Sequence, residues 1–124
     1  KCAAFNPTPA DFRGSWEAGA SDLAFSGVTR HFREEDPAAE LLDEFFGALG
    51  YVDAASFAAL LPAGAELLCG CGLMDAAQPP LGCYAAYNRA ACANKELVTY
   101  PKFVHERIND FEDRLLAFMH FGER

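Results

Sequence analysis

The sequence lacks a long apolar segment and an excess of basic residues. No apolar run approaches the roughly 20 residues that a membrane-spanning helix needs, so no membrane segment is predicted. The formal net charge is −8, and the isoelectric point is near 4.7. Because nucleic acids and anionic membranes attract basic surfaces, neither is predicted as a partner. We predict a cytoplasmic location.

The sequence also lacks an initiating methionine and a secretory leader. It begins with Lys1, and no positively charged segment followed by an apolar segment precedes the first predicted strand. Such a start is typical of a chain that has been processed, excised or cut from a longer one.

The cysteines form no recognisable disulfide or metal-binding pattern. Their number is odd, and no Cys-x-x-Cys is present. Cys69 and Cys71 alternate with glycine on a predicted strand, so they point to the same face, where a disulfide at that spacing has poor geometry. A zinc site formed by these two thiols and a histidine has no recognisable ligand spacing, so no metal is predicted. We expect buried, reduced thiols at Cys2, Cys69, Cys71, Cys83 and Cys92.

Length and composition indicate one globular domain spanning residues 1–124. Hydrophobic residues make up 52% of the sequence and charged residues 23%, which is typical of a folded chain and not of a disordered one. A chain of this length can bury a modest core.

Apolar spacing and breaker residues predict mostly helices outside the central part of the chain. The charged segment 28–36 is predicted to be a solvated helix, and the next helix to begin at Asp36-Pro37 with an apolar face that forms core or an interface. Asp11 and Asp53 are predicted helix caps. The predicted elements are a strand at 1–5 and helices at 11–23, 28–36, 37–49, 54–61 and 106–121.

The central stretch 66–88 predicts half of a parallel βαβ unit. A buried strand passes through alternating cysteine and glycine to a loop with one carboxylate, Asp75, and Pro79-Pro80 then begins a helix that runs to about Ala91. The next strand, 96–100, is followed five residues later by His105.

Asp75 and His105 are therefore the candidate site residues. They are 30 positions apart, and each follows a predicted parallel strand at the edge of the sheet where open α/β sheets carry their sites. An acid followed by a histidine in this order matches the second half of an α/β-hydrolase triad. From spacing alone a second interpretation stays open, in which the acid caps the turn after Gly72 and the histidine is merely exposed.

The sequence of this region resembles that of a known family. The segments GLMDAAQPPLGCYAAYN and ELVTYPKFVHE resemble the acetyl xylan esterase and cephalosporin C deacetylase family of α/β-hydrolases. Further similarity covers nearly the whole chain in family order, at Asp11-Phe12-Arg13, His31-Phe32-Arg33 with Asp36-Pro37, and Tyr51-Val52-Asp53.

The resemblance implies a fold and a reaction. The fold is the carboxyl-terminal part of an α/β-hydrolase, with about three parallel strands flanked by helices. Asp75 would be the triad acid and His105 the triad base. The implied substrates are small acetyl esters of xylo-oligosaccharides or cephalosporin-like molecules, with no cofactor and a ring-shaped homo-oligomer.

One part of the family's machinery is missing from the sequence. None of the four serines lies in a Gly-x-Ser-x-Gly elbow, which the family carries in an amino-terminal half upstream of this region. We therefore expect a partial domain that is inactive alone and pairs with a nucleophile-bearing half or with copies of itself. Two alternatives stay open: a non-catalytic, hydrolase-like interaction module, or the same half of a dienelactone hydrolase or oligopeptidase-like enzyme.

Overall fold

The chain forms a parallel sheet with helices on both faces. The computed structural model describes residues 2–4, 10–20 and 22–119, without the side chains of 2–4 and 22–24. In chain order its elements are β1 (Cys2–Ala4), α1 (Phe12–Glu17), α2 (Asp22–Glu34), α3 (Leu42–Leu49), α4 (Ala54–Ala58), β2 (Glu66–Gly72), α5 (Pro80–Arg89), β3 (Asn94–Tyr100) and α6 (Asn109–Phe118).

The sheet has β2 in its centre. β1 and β3 both pair with β2 in parallel, and Leu67 lies opposite Cys2 on one side and Lys95 on the other. A strand with neighbours on both edges and helices on both faces is buried, which explains the small and apolar residues of β2 after Glu66. The predicted strands are thereby confirmed, and β3 begins two residues earlier than expected.

The two faces of β2 contribute to two separate cores. Leu67, Cys69 and Cys71 point to the face covered by α4 and α5, as their alternation predicts. Leu68 points to the opposite face, where it packs with α6.

Gly70 allows α6 to approach the sheet closely. A Cβ at this position would overlap the ring of Phe111, with Phe111 Cγ only 2.8 Å away. Phe111 is itself buried, so its ring has little room to move aside.

The helices before β2 differ from their predictions. The helix predicted at 11–23 is wrong, because α1 ends at Glu17 and α2 begins at Asp22. Gly19 lies between them with a φ of +78°, a backbone conformation that glycine adopts easily and that ends a helix.

Helix α2 is also not the solvated helix that was predicted. Its Phe32 is buried, with ring centroids 5.6 Å from Trp16 and 5.6 Å from Phe45. The charged neighbours Arg33 and Glu34 are exposed, so one apolar position in a charged segment anchors the helix.

The start of α3 is wrong as well, since the helix begins at Leu42 and not at Pro37. The Asp36 carboxylate accepts the backbone N–H groups of Glu40 and Leu41 at 3.0 and 2.9 Å, which closes a turn. Ala39 has a φ of 54° in this turn, so the backbone is not helical there. Asp36 thus caps a loop that precedes the helix.

The remaining boundaries shift by a few residues. Asp53 caps α4 as predicted, but that helix ends at Ala58. The terminal helix begins at Asn109 instead of 106. Both ends of the strand predicted at 1–5 and the last two residues of the helix predicted at 106–121 lie outside the described residues. None of the helices in the described part of the chain is both long and apolar enough to cross a membrane.

We expect Gly70→Ala to lower the free energy of unfolding by about 1–3 kcal/mol, because the added methyl group overpacks the contact between β2 and Phe111. Denaturant unfolding of the two proteins measures this difference. Gly47→Ala is the matched control: apart from its chain neighbours and the backbone of its own helix, no atom lies within 4 Å of the added methyl group, and alanine favours the helix at that site. A Gly70→Ala protein as stable as the wild type would contradict the close packing of α6.

Candidate active site

The site lies on two loops that leave the carboxyl ends of β2 and β3. Backbone hydrogen bonds join these loops: Leu73 N–H donates to Tyr100 O at 3.0 Å, and Met74 N–H donates to Phe103 O at 3.0 Å. A turn closed by Phe103 N–H donating to Tyr100 O at 3.2 Å lies between these two acceptors, and the bonds from Leu73 and Met74 hold the two loops against each other.

Asp75 is held from two directions. Its Oδ1 accepts the backbone N–H groups of Ala77 at 2.9 Å and Gln78 at 2.8 Å. These bonds close the turn that leads into α5 and orient the carboxylate, whose side chain is 0% exposed. The second oxygen, Oδ2, is directed toward the other loop.

His105 meets this second oxygen. The distance from His105 Nδ1 to Asp75 Oδ2 is 3.0 Å. When Nδ1–H donates a hydrogen bond to the carboxylate, the lone pair of the neutral imidazole is on Nε2. The histidine side chain is 46% exposed, so the pair combines a buried acid with an accessible base.

The two residues predicted from the sequence are thus brought together. Both sequence interpretations of Asp75 describe real contacts, since the carboxylate caps its own turn and also binds the histidine. The arrangement can orient the imidazole, fix its tautomer and stabilise an imidazolium, which are the tasks of the acid in a Ser-His-Asp triad.

The serines lie elsewhere in the fold. Ser15 is buried in α1, and its Oγ donates to Ala10 O at 3.2 Å. Ser26 and Ser56 are exposed on α2 and α4, and Ser21 lies outside the described residues. No described serine occupies a strand-to-helix turn of the type that presents a nucleophile.

The thiol closest in sequence to the acid is not accessible. Cys71 is 0% exposed on β2, and Cys83 on α5 donates to Gly70 O at 3.6 Å. Hydrogen bonding to Cys69 and Cys71, together with burial, raises the pKa of the Cys83 thiol. Cys69, Cys71, Cys83 and Cys92 are buried free thiols as predicted, and Cys2 is not described. Across residues 2–4, 10–20 and 22–119, no cluster of His, Cys, Asp and Glu is suited to a metal ion.

Sequence reasoning missed a second role of Asp53. Besides capping α4 through Ala55 N–H at 2.8 Å, its buried carboxylate accepts the N–H groups of Asp11 at 2.8 Å and Phe12 at 2.9 Å. The local pattern predicts only the cap, because nothing in the sequence indicates a bond across about forty residues.

A pocket of about 240 Å³ adjoins the turn that carries Asp75. Ala77, Gln78 and Pro79 form one wall, and the first three helices form the others. The sequence did not predict this pocket, since its walls come from four separate segments.

Comparison with known proteins gives the family. The family model described as acetyl xylan esterase (AXE1) matches residues 1–121. The chain belongs to the acetyl xylan esterase family. No curated protein sequence matches the chain.

Two solved acetyl xylan esterases share the fold. Acetyl xylan esterase 1 from Thermoanaerobacterium sp. JW/SL YS485 superposes with a TM-score of 0.83 and 32% identity over 94% of this chain. The acetyl xylan esterase from Paenibacillus sp. R4 gives a TM-score of 0.82 and 29% identity over 95% of this chain. The predicted α/β-hydrolase fold is therefore confirmed. The match covers 36% and 37% of those two chains, so this chain spans about a third of their length.

In this member of the acetyl xylan esterase family, Tyr100 joins the end of β3 to the loop after β2 and to helix α6. Its carbonyl accepts Leu73 N–H, and its hydroxyl donates to Asp110 Oδ2 at 2.6 Å. Arg114 Nε donates to the same oxygen at 2.8 Å. Burial and the bond to Asp110 raise the pKa of Tyr100 to about 12, whereas the bonds from Tyr100 and Arg114 lower the pKa of Asp110.

We expect Tyr100→Phe to raise the pKa of Asp110 toward its ordinary value, because the variant removes the hydroxyl that favours the carboxylate. The lowered pKa of Asp110 contributes stability above its unfolded-state pKa, and this contribution is lost as the pH falls through the folded-state pKa. The stability difference between the two proteins should therefore shrink below about pH 4.

Carbon-13 titration of the Asp110 carboxyl group, with unfolding at several pH values, measures both effects. Tyr84→Phe serves as the control, since Tyr84 lies on the surface of α5. An unchanged Asp110 titration in Tyr100→Phe would show that the hydrogen bond does not form in solution.

Proposed function

We propose that Asp75 and His105 are the acid and base of a serine esterase triad. The observation that carries this proposal is the 3.0 Å contact from His105 Nδ1 to Asp75 Oδ2, with the acid buried and its other oxygen bound to two backbone N–H groups. A buried acid that fixes an exposed imidazole through Nδ1 leaves Nε2 available as a general base.

The nucleophile is proposed to come from a segment other than this chain. A serine in a Gly-x-Ser-x-Gly elbow would lose its proton to His105 Nε2 as its oxygen attacks the acetyl carbonyl. The imidazolium, stabilised by Asp75, then gives that proton to the leaving alcohol. Water activated by the same histidine releases acetate from the acyl-enzyme.

The proposed substrates are acetylated xylo-oligosaccharides or cephalosporin-like acetyl esters. Family membership and the printed names of the two solved relatives support an acetyl ester of a xylan fragment. The residue pair itself acts on the ester carbonyl and does not select the alcohol. No cofactor is needed for this reaction, and the cytoplasmic location stays a prediction.

A non-catalytic, hydrolase-like module is the second candidate. The absence of a serine elbow among the four serines of the sequence favours it. In that case Asp75 and His105 would be inherited positions without a reaction, and hydrolysis would not depend on them.

We expect His105→Ala to lower the hydrolysis of 4-nitrophenyl acetate by about three to four orders of magnitude in native protein that includes a nucleophile-bearing segment. Asp75→Asn should cause a loss of similar size, since an amide at this position favours the wrong tautomer of the histidine. Initial rates measured together with the intact mass of the native material test both expectations.

His31→Ala is the matched control for these variants. His31 is on α2, where its Nδ1 lies 3.2 Å from Glu35 Oε2 on the surface, so its loss should leave the rate unchanged. Hydrolysis that is insensitive to His105 would refute the triad and favour the non-catalytic module.

We also expect the chain to form a dimer or a complex with a second chain. Within the described sheet β1 pairs only with β2, so its other edge offers unpaired backbone groups. Light scattering after size-exclusion chromatography measures the mass in solution. A stable monomer over a wide concentration range would count against pairing at this edge.

A further inference from the structure

The pocket beside the Asp75 turn has mainly apolar walls. The turn from Ala77 to Pro79 faces helices α1, α2 and α3 across about 240 Å³. The apolar side chains contributed by the helices are Phe12, Phe25, Val28, Phe45 and Leu49. A cavity of about 150 Å³ with such a lining accommodates benzene, so this pocket has room for a substituted ring.

Two polar side chains line the pocket, and they differ in their hydrogen bonds. The hydroxyl group of Ser15 donates a hydrogen bond to Ala10 O, with an O–O distance of 3.2 Å. Gln78 Oε1 is buried and has no hydrogen-bond partner among the described residues. A buried amide oxygen without a donor costs free energy, and a ligand that supplies one donor recovers it.

We propose that this pocket binds a small aromatic alcohol, with the ring against the phenylalanine side chains and the hydroxyl donating to Gln78 Oε1. Gln78 lines the pocket, so the hydroxyl group of a bound ring would supply the donor that its amide oxygen lacks. A sugar ring fits this lining poorly, because it would bury several hydroxyl groups beside a single unsatisfied acceptor.

This inference goes beyond the proposed function. It assigns a ligand class to a pocket, and binding is measured without any catalytic step. The pocket is nevertheless joined to the candidate triad, because the backbone N–H of Gln78 donates to Asp75 Oδ1. A ring bound against this turn therefore lies next to the segment that orients the acid.

The test compares phenol, toluene and xylose as ligands of the full 124-residue chain. Phenol and toluene have nearly the same shape and differ in the donor. We expect phenol to bind about three- to tenfold more tightly than toluene, the effect of one hydrogen bond, and xylose not to bind. Ligand titration followed by protein NMR gives the dissociation constants and shows which backbone signals shift.

Three variants locate the contact. Gln78→Met keeps the length of the side chain and removes the amide, so the preference for phenol over toluene should disappear. Ser15→Ala removes the other polar side chain that lines the pocket, and this variant should still prefer phenol to toluene. Ala77→Phe fills the pocket and should abolish binding of both aromatic ligands. Circular dichroism of each variant verifies the fold.

Several results would overturn the proposal. These are equal binding of phenol and toluene by the wild type, an unchanged preference in Gln78→Met, aromatic binding that survives in folded Ala77→Phe, or xylose binding with shifts at residues 77–79. Loss of esterase activity in the His105 variant has no bearing on these measurements, so the two proposals fail separately.

Discussion

The buried carboxylate of Asp75 is the constraint on which the local structure depends. A carboxylate without access to water must find its donors within the protein, and those of Asp75 include two N–H groups of its own turn and the histidine on the neighbouring loop. The backbone bonds from Leu73 and Met74 contribute to this arrangement, because they join the loops that follow β2 and β3. The imidazole is positioned by the same set of contacts that satisfies the acid.

The turn at residues 75–79 belongs to both the candidate active site and the apolar pocket. Its backbone N–H groups face the carboxylate, while its side chains at Ala77, Gln78 and Pro79 line the apolar pocket. Side-chain changes on this turn can therefore alter the pocket while the backbone donors to the acid stay in place. Family membership fixes the general fold, whereas what the pocket can bind depends on the side chains that line it.

The sequence predicted the parallel sheet and the proximity of the two candidate site residues. Neighbouring strands that are joined by one helix are typically parallel, so the residues that follow β2 and β3, Asp75 and His105, lie at the same edge of the sheet. The helical boundaries were less predictable, because Gly19 and the turn closed by Asp36 override apolar periodicity through local backbone geometry. The pocket could not be predicted, since it forms only when separate segments pack together.

The long-range bonds of Asp53 have a kinetic consequence. The carboxylate that caps α4 also caps the start of α1, and the residues it joins are separated by 41 and 42 positions. Closing a loop of that length costs chain entropy before any packing compensates for it. The N–H groups of Asp11 and Phe12 can therefore bind the Asp53 carboxylate only after the intervening helices have folded back. We therefore expect α1 to be completed late in folding, after β2 has paired with the elements that are close to it in sequence.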